Sequence, residues 1–338
     1  MPDLCVIEGD GIGQEVIPAA VRVLREVIPG LVLFPAEAGW ECFSNRGVSV
    51  PPETLETIRG CGTALFGAVS SPSQKVQGYR SAVVTLRQEL DLYANLRPVR
   101  SLPRISPDRR VDLLIVRENT EGLYIGRERL EAEAAIAERV ITRCAAVRIG
   151  RRALELARRN GRKKVTIVHK ANILPLTDGL FRDCILDAAA EMAISPNEIE
   201  MEEMLVDTAA NQLISQPERF SLIVTTNLFG DILSDEAAYW CGGLGLAASL
   251  NWGERVAIAE PVHGSAPDIA GQGVANPLAA ILSGALLARY AWGLVEAAES
   301  IENAVRSALA YHLPIQNQGL VSATRTETIT RAVLDQLR

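Results

Sequence analysis

Three observations predict that the chain is an α/β protein. Short apolar segments alternate with amphipathic helical patterns along all 338 residues, as expected when helices cover a largely parallel sheet. Hydrophobic residues make up 48% of the chain and charged residues 22%, which is enough apolar material for a large packed core. Polar residues follow several of the predicted strands, where open α/β sheets bind ligands. The length allows one large domain or two intertwined ones.

The predicted elements can be placed in order along the chain. Short apolar runs predict strands at Leu4–Glu8, Leu31–Ala36, Thr63–Gly67, Val111–Arg117, Lys164–His169, Glu203–Val206 and Ser221–Thr226. Apolar residues three and four apart predict helices at Gln14–Val27, Ser81–Leu92, Ala134–Arg159, Pro175–Met192, Ile232–Trp240, Pro277–Ala288 and Leu294–Ala310. The Pro, Ser and Arg residues of Arg100–Arg110 indicate a surface crossing between two lobes. The glycines of Cys241–Leu250 interrupt a segment of small residues and indicate a second change in the organisation of the chain.

Charge and cysteine usage narrow the classes of function. The net charge of −7 argues against a general nucleic-acid surface, so an anionic small-molecule substrate needs a local cluster of Arg and Lys. No signal peptide opens the chain and no apolar run reaches the roughly 18 residues of a membrane helix. The six scattered cysteines, with no C-x-x-C pair, indicate buried reduced thiols in a cytoplasmic protein, and three histidines make a zinc site improbable.

A glycine-rich turn stands between the first strand and the first helix, Gly9-Asp10-Gly11-Ile12-Gly13. As a dinucleotide fingerprint it would hold a pyrophosphate, with Glu37 as a ribose ligand. Its last glycine is misplaced for G-x-G-x-x-G, so a tight strand–helix turn is the favoured interpretation.

Two arginines lie in or just after the helix predicted at Ser81–Leu92. At helical spacing Val83 and Val84 share a face with Arg87, and Arg97 follows just beyond the helix. Because guanidinium groups bind carboxylates through paired hydrogen bonds, the two arginines suit a polycarboxylate. The alternative is a solvated helix with a surface arginine.

Acid–base and ligand groups follow three strands. Arg117–Tyr124 comes after one strand and Lys170–Asn172 after another, which makes a Tyr–Lys acid/base pair conceivable. Asp207 ends a third strand, while Asp231 and Asp235 lie four residues apart on one helix face. Carboxylates in this arrangement suit Mg²⁺ or Mn²⁺, although Asp231 alone could complement a helix dipole.

The segment Glu260–Pro277 contains a turn rich in Gly and Ser. Its backbone N–H groups suit a phosphate, and Asp268 can accept hydrogen bonds from ribose hydroxyls. The alternative is a plain loop with a helix N-cap.

Six motifs in the expected order carry a resemblance that runs from Ile7 to about Asn276. They are IEGDGIGQEV, LDLYANLRP, RENTEGLY, HKANI, TTNLFGDILSD and EPVHGSAPDIAG. The chain resembles the β-decarboxylating dehydrogenases of isocitrate, 3-isopropylmalate, homoisocitrate and tartrate. The resemblance implies an isopropylmalate-dehydrogenase-like two-lobed fold with a large mixed sheet flanked by helices. Residues 1–98 and 248–338 would form the large cofactor-binding domain, and 99–247 the small domain with the dimer interface and the metal aspartates.

The resemblance also implies the site residues, in an active cleft shared by the two subunits of a homodimer, or of a tetramer built from dimers. Tyr124 would be the catalytic proton donor, and Lys170, from the other subunit, would assist removal of the hydroxyl proton. Substrate contacts would come from Ser71, Arg80, Ser81, Val84, Arg87, Arg97, Arg117, Tyr124, Lys170 and Asn172. Asp231 and Asp235, with Asp207 from the partner subunit, would hold Mg²⁺ or Mn²⁺. NAD would contact Ile12, Asn172, His263, Gly264, Ser265, Ala266, Asp268, Ile269 and Asn276.

The resemblance implies NAD-dependent oxidation and decarboxylation of a (2R,3S)-3-substituted malate, with NAD favoured because NADP users place Lys-Tyr where Asp268-Ile269 stands. The stretch Ser71–Arg87 looks most like fungal homoisocitrate dehydrogenases, so homoisocitrate, giving 2-oxoadipate on the aminoadipate route to lysine, is the expected substrate. The apolar pair Val83–Val84 favours 3-isopropylmalate, a leucine precursor, and Arg80-Ser81 resembles isocitrate enzymes. Aryl- or alkylmalates also stay open.

Two further points, the presence of the catalytic residues and one departure from the family, complete the comparison. A non-catalytic regulatory subunit should lack an acid, base or metal residue, and here they are all present, which favours an enzyme. Leu313–Leu320 lacks the Thr-Pro-Asp-Leu-Gly-Gly run of the family, which affects the packing and the outer cofactor contacts expected there.

Overall fold

The computed structural model describes residues 1–74, 76–316, 319–321 and 324–337. The chain divides into two compact units: Met1–Leu92 with Ser101–Asp108 and Tyr239–Arg338, and Tyr93–Arg100 with Arg109–Ala238. The expected domains, 1–98 with 248–338 and 99–247, were assigned by role and stay a prediction.

The helices and strands alternate along the chain. The strands are β1 (Asp3–Ile7), β2 (Val32–Pro35), β3 (Thr63–Phe66), β4 (Ala94–Arg100), β5 (Asp112–Glu118), β6 (Glu128–Glu131), β7 (Ala134–Ala137), β8 (Lys164–His169), β9 (Glu200–Leu205), β10 (Leu222–Thr225), β11 (Ala248–Trp252), β12 (Ala257–Pro261), β13 (Ile315–Gln316) and β14 (Gly319–Leu320). The helices are α1 (Gly13–Val27), α2 (Trp40–Arg46), α3 (Pro52–Cys61), α4 (Ala82–Glu89), α5 (Arg143–Arg159), α6 (Thr177–Glu191), α7 (Val206–Ser215), α8 (Asn227–Ala237), α9 (Leu278–Leu286), α10 (Val295–Ser307) and α11 (Thr326–Leu334).

The strands of the mixed sheet divide between the units, five in each. In the first unit the order is β2-β1-β3-β12-β11, with only the β12–β11 pair antiparallel. Helix α9 is buried along its whole length and packs against α1, where Gly284 lets the Leu24 side chain approach. A helix that is apolar all round needs cover on every side, and this one forms the centre of the unit.

In the second unit the order is β4-β5-β10-β8-β9, and the last four strands are parallel. Parallel strands bring their carboxyl ends to one edge, so the residues that follow β5, β8, β9 and β10 lie along the same edge of this sheet. Register confirms it, because Thr225 lies opposite Arg117 on one side and Val168 on the other. The α/β class and the mixed sheet flanked by helices are confirmed.

Three secondary-structure predictions were wrong, and one of them is the helix expected at Ile232–Trp240, which begins five residues earlier, at Asn227. The expected helix Ala134–Arg159 begins at Arg143, where Thr142 accepts a hydrogen bond from the Ala145 N–H (3.2 Å). Ala134–Ala137 pairs instead with Glu128–Glu131 as a hairpin, because cross-strand hydrogen bonds overrode the helical preference of alanine. The strand predicted at Glu203–Val206, with Asp207 at its end, is β9 and ends at Leu205. Asp207 therefore lies in the first turn of α7 rather than at a strand end.

The cysteine prediction, a possible membrane helix and the segment Leu313–Leu320 can each be compared with the structure. All six cysteines are free, and Cys5, Cys42, Cys184 and Cys241 are buried, but Cys144 is exposed, which contradicts the prediction for that thiol. No helix among the described residues is long and apolar enough to cross a membrane. Within Leu313–Leu320, β13 pairs with β14, while Asn317 and Gln318 lie outside the described residues.

Candidate active site

Arg117, the last residue but one of β5, is a deeply buried charged group of the second unit, with 1% of its surface exposed. Its Nε and Nη2 donate to Asn227 Oδ1 at 3.0 and 2.7 Å, and its Nη1 donates to Asp231 Oδ1. Gly230 makes this approach possible, because a Cβ there would lie 2.6 Å from Arg117 Cγ. Helix α8 is therefore fitted around the guanidinium, which presents charge at the carboxyl edge of the sheet.

Tyr124 stands beside the same aspartate. Its hydroxyl donates to Asp231 Oδ2, and its ring lies 5.2 Å from the Arg117 guanidinium carbon. Burial raises the pKa of Tyr124, and the hydrogen bond to Asp231 and that carboxylate's charge raise it further, against the opposing effect of Arg117. The phenol is therefore neutral at physiological pH and has a proton to donate.

Arg97 and Asp235 form a second pair in this unit. Arg97 is buried on β4, where its Nε donates to Asn95 Oδ1 at 2.7 Å, and its Nη1 lies 3.7 Å from Asp235 Oδ1. Burial raises the pKa of Asp235, the nearby Arg97 lowers it, and the charge of Asp231, one turn earlier on α8, raises it again. Two carboxylates on one helix face that repel each other suit a divalent cation, so this donor set fits Mg²⁺ or Mn²⁺.

Lys170 and Asp207 pair with each other. Lys170 Nζ donates to Asp207 Oδ1, and this hydrogen bond lowers the pKa of the exposed carboxylate. Asn172, two residues on, is exposed. In the described part of the chain, no three His, Cys, Asp or Glu side chains form a cluster that could hold a metal, so Asp207 does not join Asp231 and Asp235 as a third ligand. The resemblance places Asp207 and Lys170 in the partner subunit's site, and that placement stays a prediction.

In the first unit, Arg87 lies on α4. Arg87 is 9% exposed and its Nη2 donates to Glu260 Oε1 at 3.1 Å, while the Asn251 amide donates to the same oxygen at 2.8 Å. Arg87 Nε is buried and has no acceptor among the described residues. A buried donor without a partner costs free energy, so this nitrogen suits a ligand carboxylate.

The residues before and on α4 are the ones expected to face the C3 substituent. Arg80 is exposed, its Nη2 donates to Gln88 Oε1 at 3.2 Å, and its carbonyl accepts from the Ser49 hydroxyl at 2.5 Å. Ser81 is the N-cap of α4, without a side-chain cap bond, and Val84 is half-buried. The segment therefore offers a ligand both an apolar side chain and an exposed guanidinium with further N–H donors.

An aromatic cluster supports the start of this segment. The Tyr79 ring lies edge-on to Trp40 (5.3 Å) and to Phe43 (5.2 Å), and its hydroxyl donates to the Ser70 carbonyl at 3.2 Å. Ser71 is exposed, with its hydroxyl 3.5 Å from that of Tyr79. Lys75, in the same stretch, lies outside the described residues.

The glycine turn and the loop after β12 meet in the first unit. The Ile12 N–H donates to the Ser265 carbonyl at 2.9 Å, and the Ser265 and Ser70 hydroxyls lie 2.8 Å apart. A Cβ on Gly11 would lie 2.3 Å from that carbonyl, so the turn requires glycine there. Asp10, 2% exposed, accepts from the N–H groups of Trp40, Glu41 and Ser70, which fixes the tight turn that the sequence favoured.

The loop itself carries groups that fit an adenine nucleotide. Burial lowers the pKa of His263, so the ring is neutral; its Nδ1 lies 3.0 Å from the Gly264 carbonyl and its buried Nε2 has no partner among the described residues. Such a nitrogen is an acceptor for an exocyclic amine. Ala266 has φ +39° and its carbonyl accepts from the Ile269 N–H at 3.2 Å, which leaves Asp268 and Ile269 exposed. Asn276 Oδ1 accepts from the Leu278 N–H, at the start of α9.

Buried arginines, a neutral phenol and neighbouring aspartates are the groups of an α/β enzyme that acts on a polycarboxylic acid. Residues 3–333 match the family described as isocitrate/isopropylmalate dehydrogenase, and the chain belongs to that family. It is a β-decarboxylating dehydrogenase of the isocitrate, isopropylmalate and homoisocitrate type, as the motifs predicted.

Three relatives illustrate the range of the family. The chain is 51% identical to an isocitrate/homoisocitrate dehydrogenase of Thermus thermophilus, over 99% of this chain and 98% of that protein. It is 47% identical to a 3-isopropylmalate dehydrogenase of Methanothermobacter thermautotrophicus, over 94% and 93%. The crystal structure of an isocitrate dehydrogenase from Methylococcus capsulatus matches the whole of both chains with a TM-score of 0.93 at 41% identity.

Several residues of the site had no assigned role in the sequence. Glu260 stood at the head of a quoted motif, yet its contact with Arg87 depends on β12 lying near α4. Asn227 and Asn95 orient Arg117 and Arg97 in the same way. In the sequence these three residues are only polar residues near the ends of helices and strands. A single sequence does not reveal which residues the fold brings into contact with the functional arginines.

Proposed function

We propose that this dehydrogenase converts homoisocitrate to 2-oxoadipate with NAD and Mg²⁺ or Mn²⁺. The observation that supports this substrate is the exposed guanidinium of Arg80, in the segment expected to face the C3 substituent. Its Nη2 donates to Gln88 Oε1, and the backbone carbonyl of the same residue accepts from the Ser49 hydroxyl. A distal carboxylate needs such a partner, since an unpaired charge in the site is costly. The name of the Thermus relative supports the same choice.

The chain's own groups divide the chemistry between them. Arg87, Arg97 and Arg117 bind the carboxylates, and Arg87 offers its unpartnered Nε. Lys170, from the partner subunit, assists removal of the C2 hydroxyl proton as that carbon is oxidised. NAD, when bound, would accept the hydride from C2, and Asp231 and Asp235, with the partner's Asp207, would hold a cation that would stabilise negative charge on the C2 oxygen. After the bond from C3 to its carboxyl carbon breaks and CO₂ leaves, Tyr124 returns a proton to C3.

A homodimer is part of this proposal. Exposed apolar side chains gather in the second unit, on the hairpin, after β8, and on α7 and α8: Leu130, Ile173, Leu176, Ile214 and Ile232. Large exposed apolar groups favour burial against a second copy, and the family shares its sites in that way. A tetramer and a cytoplasmic location stay predictions.

A second candidate substrate is 3-isopropylmalate. Val83 and Val84 are half-buried on α4, with Val83 packed in part against the core, and the apolar surface that they leave exposed suits an alkyl tail. The 3-isopropylmalate dehydrogenase relative shows that this activity occurs at 47% identity. Isocitrate, one methylene shorter than homoisocitrate, is the third.

A steady-state panel decides among these substrates. We expect the highest kcat/KM for homoisocitrate among homoisocitrate, isocitrate, 3-isopropylmalate, tartrate and arylmalates. Arg80→Met should lower that value by about tenfold or more for homoisocitrate and little for 3-isopropylmalate, since it removes a charged partner and keeps the stem. Arg331→Met, an exposed arginine of α11, is the matched control. A higher kcat/KM for 3-isopropylmalate with the unaltered enzyme would reject homoisocitrate as the substrate.

A further inference from the structure

Arg139 lies between the β6–β7 hairpin and α5, and it contacts two other segments of the second unit. Its Nη1 donates to Thr177 Oγ1 at 3.0 Å and lies 2.6 Å from Asp178 Oδ1, and its Nη2 donates to Thr226 Oγ1 at 3.2 Å. Its guanidinium carbon stands 5.3 Å from the centre of the Phe229 ring. One planar cation therefore connects the start of α6 with the start of α8.

The contact with Asp178 leads to Lys170. The Asp178 side chain is fully buried, and its Oδ2 accepts a hydrogen bond from the Lys170 N–H at 2.7 Å. This bond closes the loop 170–178, which carries Lys170 and Asn172 from the end of β8 to the first turn of α6. A buried carboxylate needs compensating charge, and Arg139 supplies it.

The contact with Thr226 leads to the metal aspartates. Thr226 is the N-cap residue of α8, where a threonine hydroxyl normally accepts from an N–H of the first turn. Here the Thr226 side chain makes no cap bond and accepts from Arg139 instead. Phe229, in the same first turn, lies against the guanidinium, and Asp231 lies two residues further along the helix.

We propose that Arg139 is a positioning residue that couples the Lys170 loop to helix α8. This inference rests on the proposed function, in which Lys170 acts in the partner's site while Asp231 and Asp235 act in the subunit's own site. Arg139 then fixes, within one subunit, the segments that serve two different active sites. A shift of the guanidinium changes both sites of the dimer together.

The alternative is that Arg139 only neutralises a buried carboxylate. Arg139→Lys separates the two, because a single ammonium can stay beside Asp178 but cannot hold Thr177, Thr226 and the Phe229 ring at once. The matched control is Arg143→Lys, because Arg143 is an exposed arginine of α5 that pairs with Asp187 of α6. Thermal unfolding of both variants reports any loss of fold.

The first measurement is the Kd for Mn²⁺ of the homodimer without substrate, from electron paramagnetic resonance. We expect Arg139→Lys to raise this Kd about tenfold, as changes behind metal ligands do, with Arg143→Lys unchanged. An unaltered Kd in a folded Arg139→Lys dimer would overturn the coupling and leave only charge neutralisation.

The second measurement uses heterodimers of a Lys170→Ala chain and a Tyr124→Phe chain, which retain one complete site if sites are shared. Arg139→Lys is added to either chain in turn: on the Lys170→Ala chain it disturbs the α8 of the surviving site, and on the Tyr124→Phe chain it disturbs that site's Lys170. The coupling predicts a lower kcat, by about three- to thirtyfold, from both placements.

The outcomes separate the two proposals. A loss of kcat from only one placement would overturn the coupling while the shared sites stand. A parent heterodimer with no activity, in verified mixed dimers, would instead reject the shared sites of the proposed function, and the coupling with them.

Discussion

Asp231 shows how a single side chain combines structure and chemistry. One oxygen accepts from Arg117 and the other from Tyr124, so the carboxylate orients both a carboxylate binder and a proton donor. A cation on α8 would compete for the same oxygens. We infer that these hydrogen bonds order the side chains before ligands bind and rearrange when the substrate's own carboxylates reach the arginines.

Tyr124→Phe tests the proton donor. It removes the hydroxyl and leaves the ring against Arg117, so we expect kcat to fall by about 10²-fold or more with KM changed little. Because burial and Asp231 raise the pKa of Tyr124, its proton is retained as pH rises through neutrality, and the activity of the unaltered enzyme should not decline there through loss of this proton. A Tyr124→Phe enzyme with near-normal kcat would remove Tyr124 from the mechanism.

The metal prediction also belongs to single residues. Exhaustive dialysis against EDTA should abolish activity, and Mg²⁺ or Mn²⁺ should restore it. Asp235→Asn removes one of two adjacent charges and should raise the metal concentration for half-activation at least about tenfold. Asp183→Asn, an exposed aspartate of α6 paired with Arg182, should behave as the unaltered enzyme does. Full activity after dialysis, with no metal restored, would contradict a metal role.

At the scale of elements, the sequence predicted the regular parts of the fold well and their edges poorly. Lys164–His169 was predicted to the residue, because its apolar run is bounded by charged residues on both sides. The alanines at 134–137 were misassigned, since nothing local shows that a partner strand will pair with them. The predicted ends of strands were enough to identify Arg117 and Lys170 as candidate site residues. The contacts of Arg139 and Glu260 join residues far apart in sequence, and a hydrophobic pattern cannot predict such contacts.

Gly230→Ala tests the fit of α8 around Arg117. A Cβ at this position would meet the buried Arg117 side chain, so the guanidinium must shift away from Asn227 and Asp231. We expect KM for the substrate to rise about tenfold and the protein to lose stability, despite the better helix propensity of alanine. Gly60→Ala in α3 is the matched control, because its Cβ would meet nothing within 4 Å, and it should stabilise by up to about 1 kcal/mol. Unchanged kinetics of Gly230→Ala would show that the orientation of Arg117 is not critical.

At the scale of the whole molecule, the proposed roles divide between the two units. The first unit holds the nucleotide loop, Arg80 and Arg87, and the second holds the phenol, the metal aspartates and Lys170. The proposed function requires an acidic chain with a net charge of −7 to bind two anionic ligands. Each anion then needs its own local donors, and the buried arginines would supply them for the substrate. For the nucleotide, the described loop presents backbone N–H groups and a neutral histidine.

Cofactor choice follows from that loop. Asp268 is exposed where the family's NADP users carry a cation-bearing Lys-Tyr pair, and in the described part of the chain its carboxylate has no hydrogen-bond partner. A free carboxylate accepts from both ribose hydroxyls of NAD and repels the 2′-phosphate of NADP, and rejection by an unpaired like charge is stronger than rejection by size. We expect kcat/KM with NAD to exceed that with NADP by about 10²-fold. Asp268→Asn keeps the size of the side chain and removes the repulsion, so it should lower the ratio of the NAD to the NADP kcat/KM. The control Asp335→Asn, on the turn after α11, should leave this ratio unchanged. Fluorescence titration with NADH and NADPH measures the same preference without turnover, and equal Kd values would mean that Asp268 does not face the adenosine ribose.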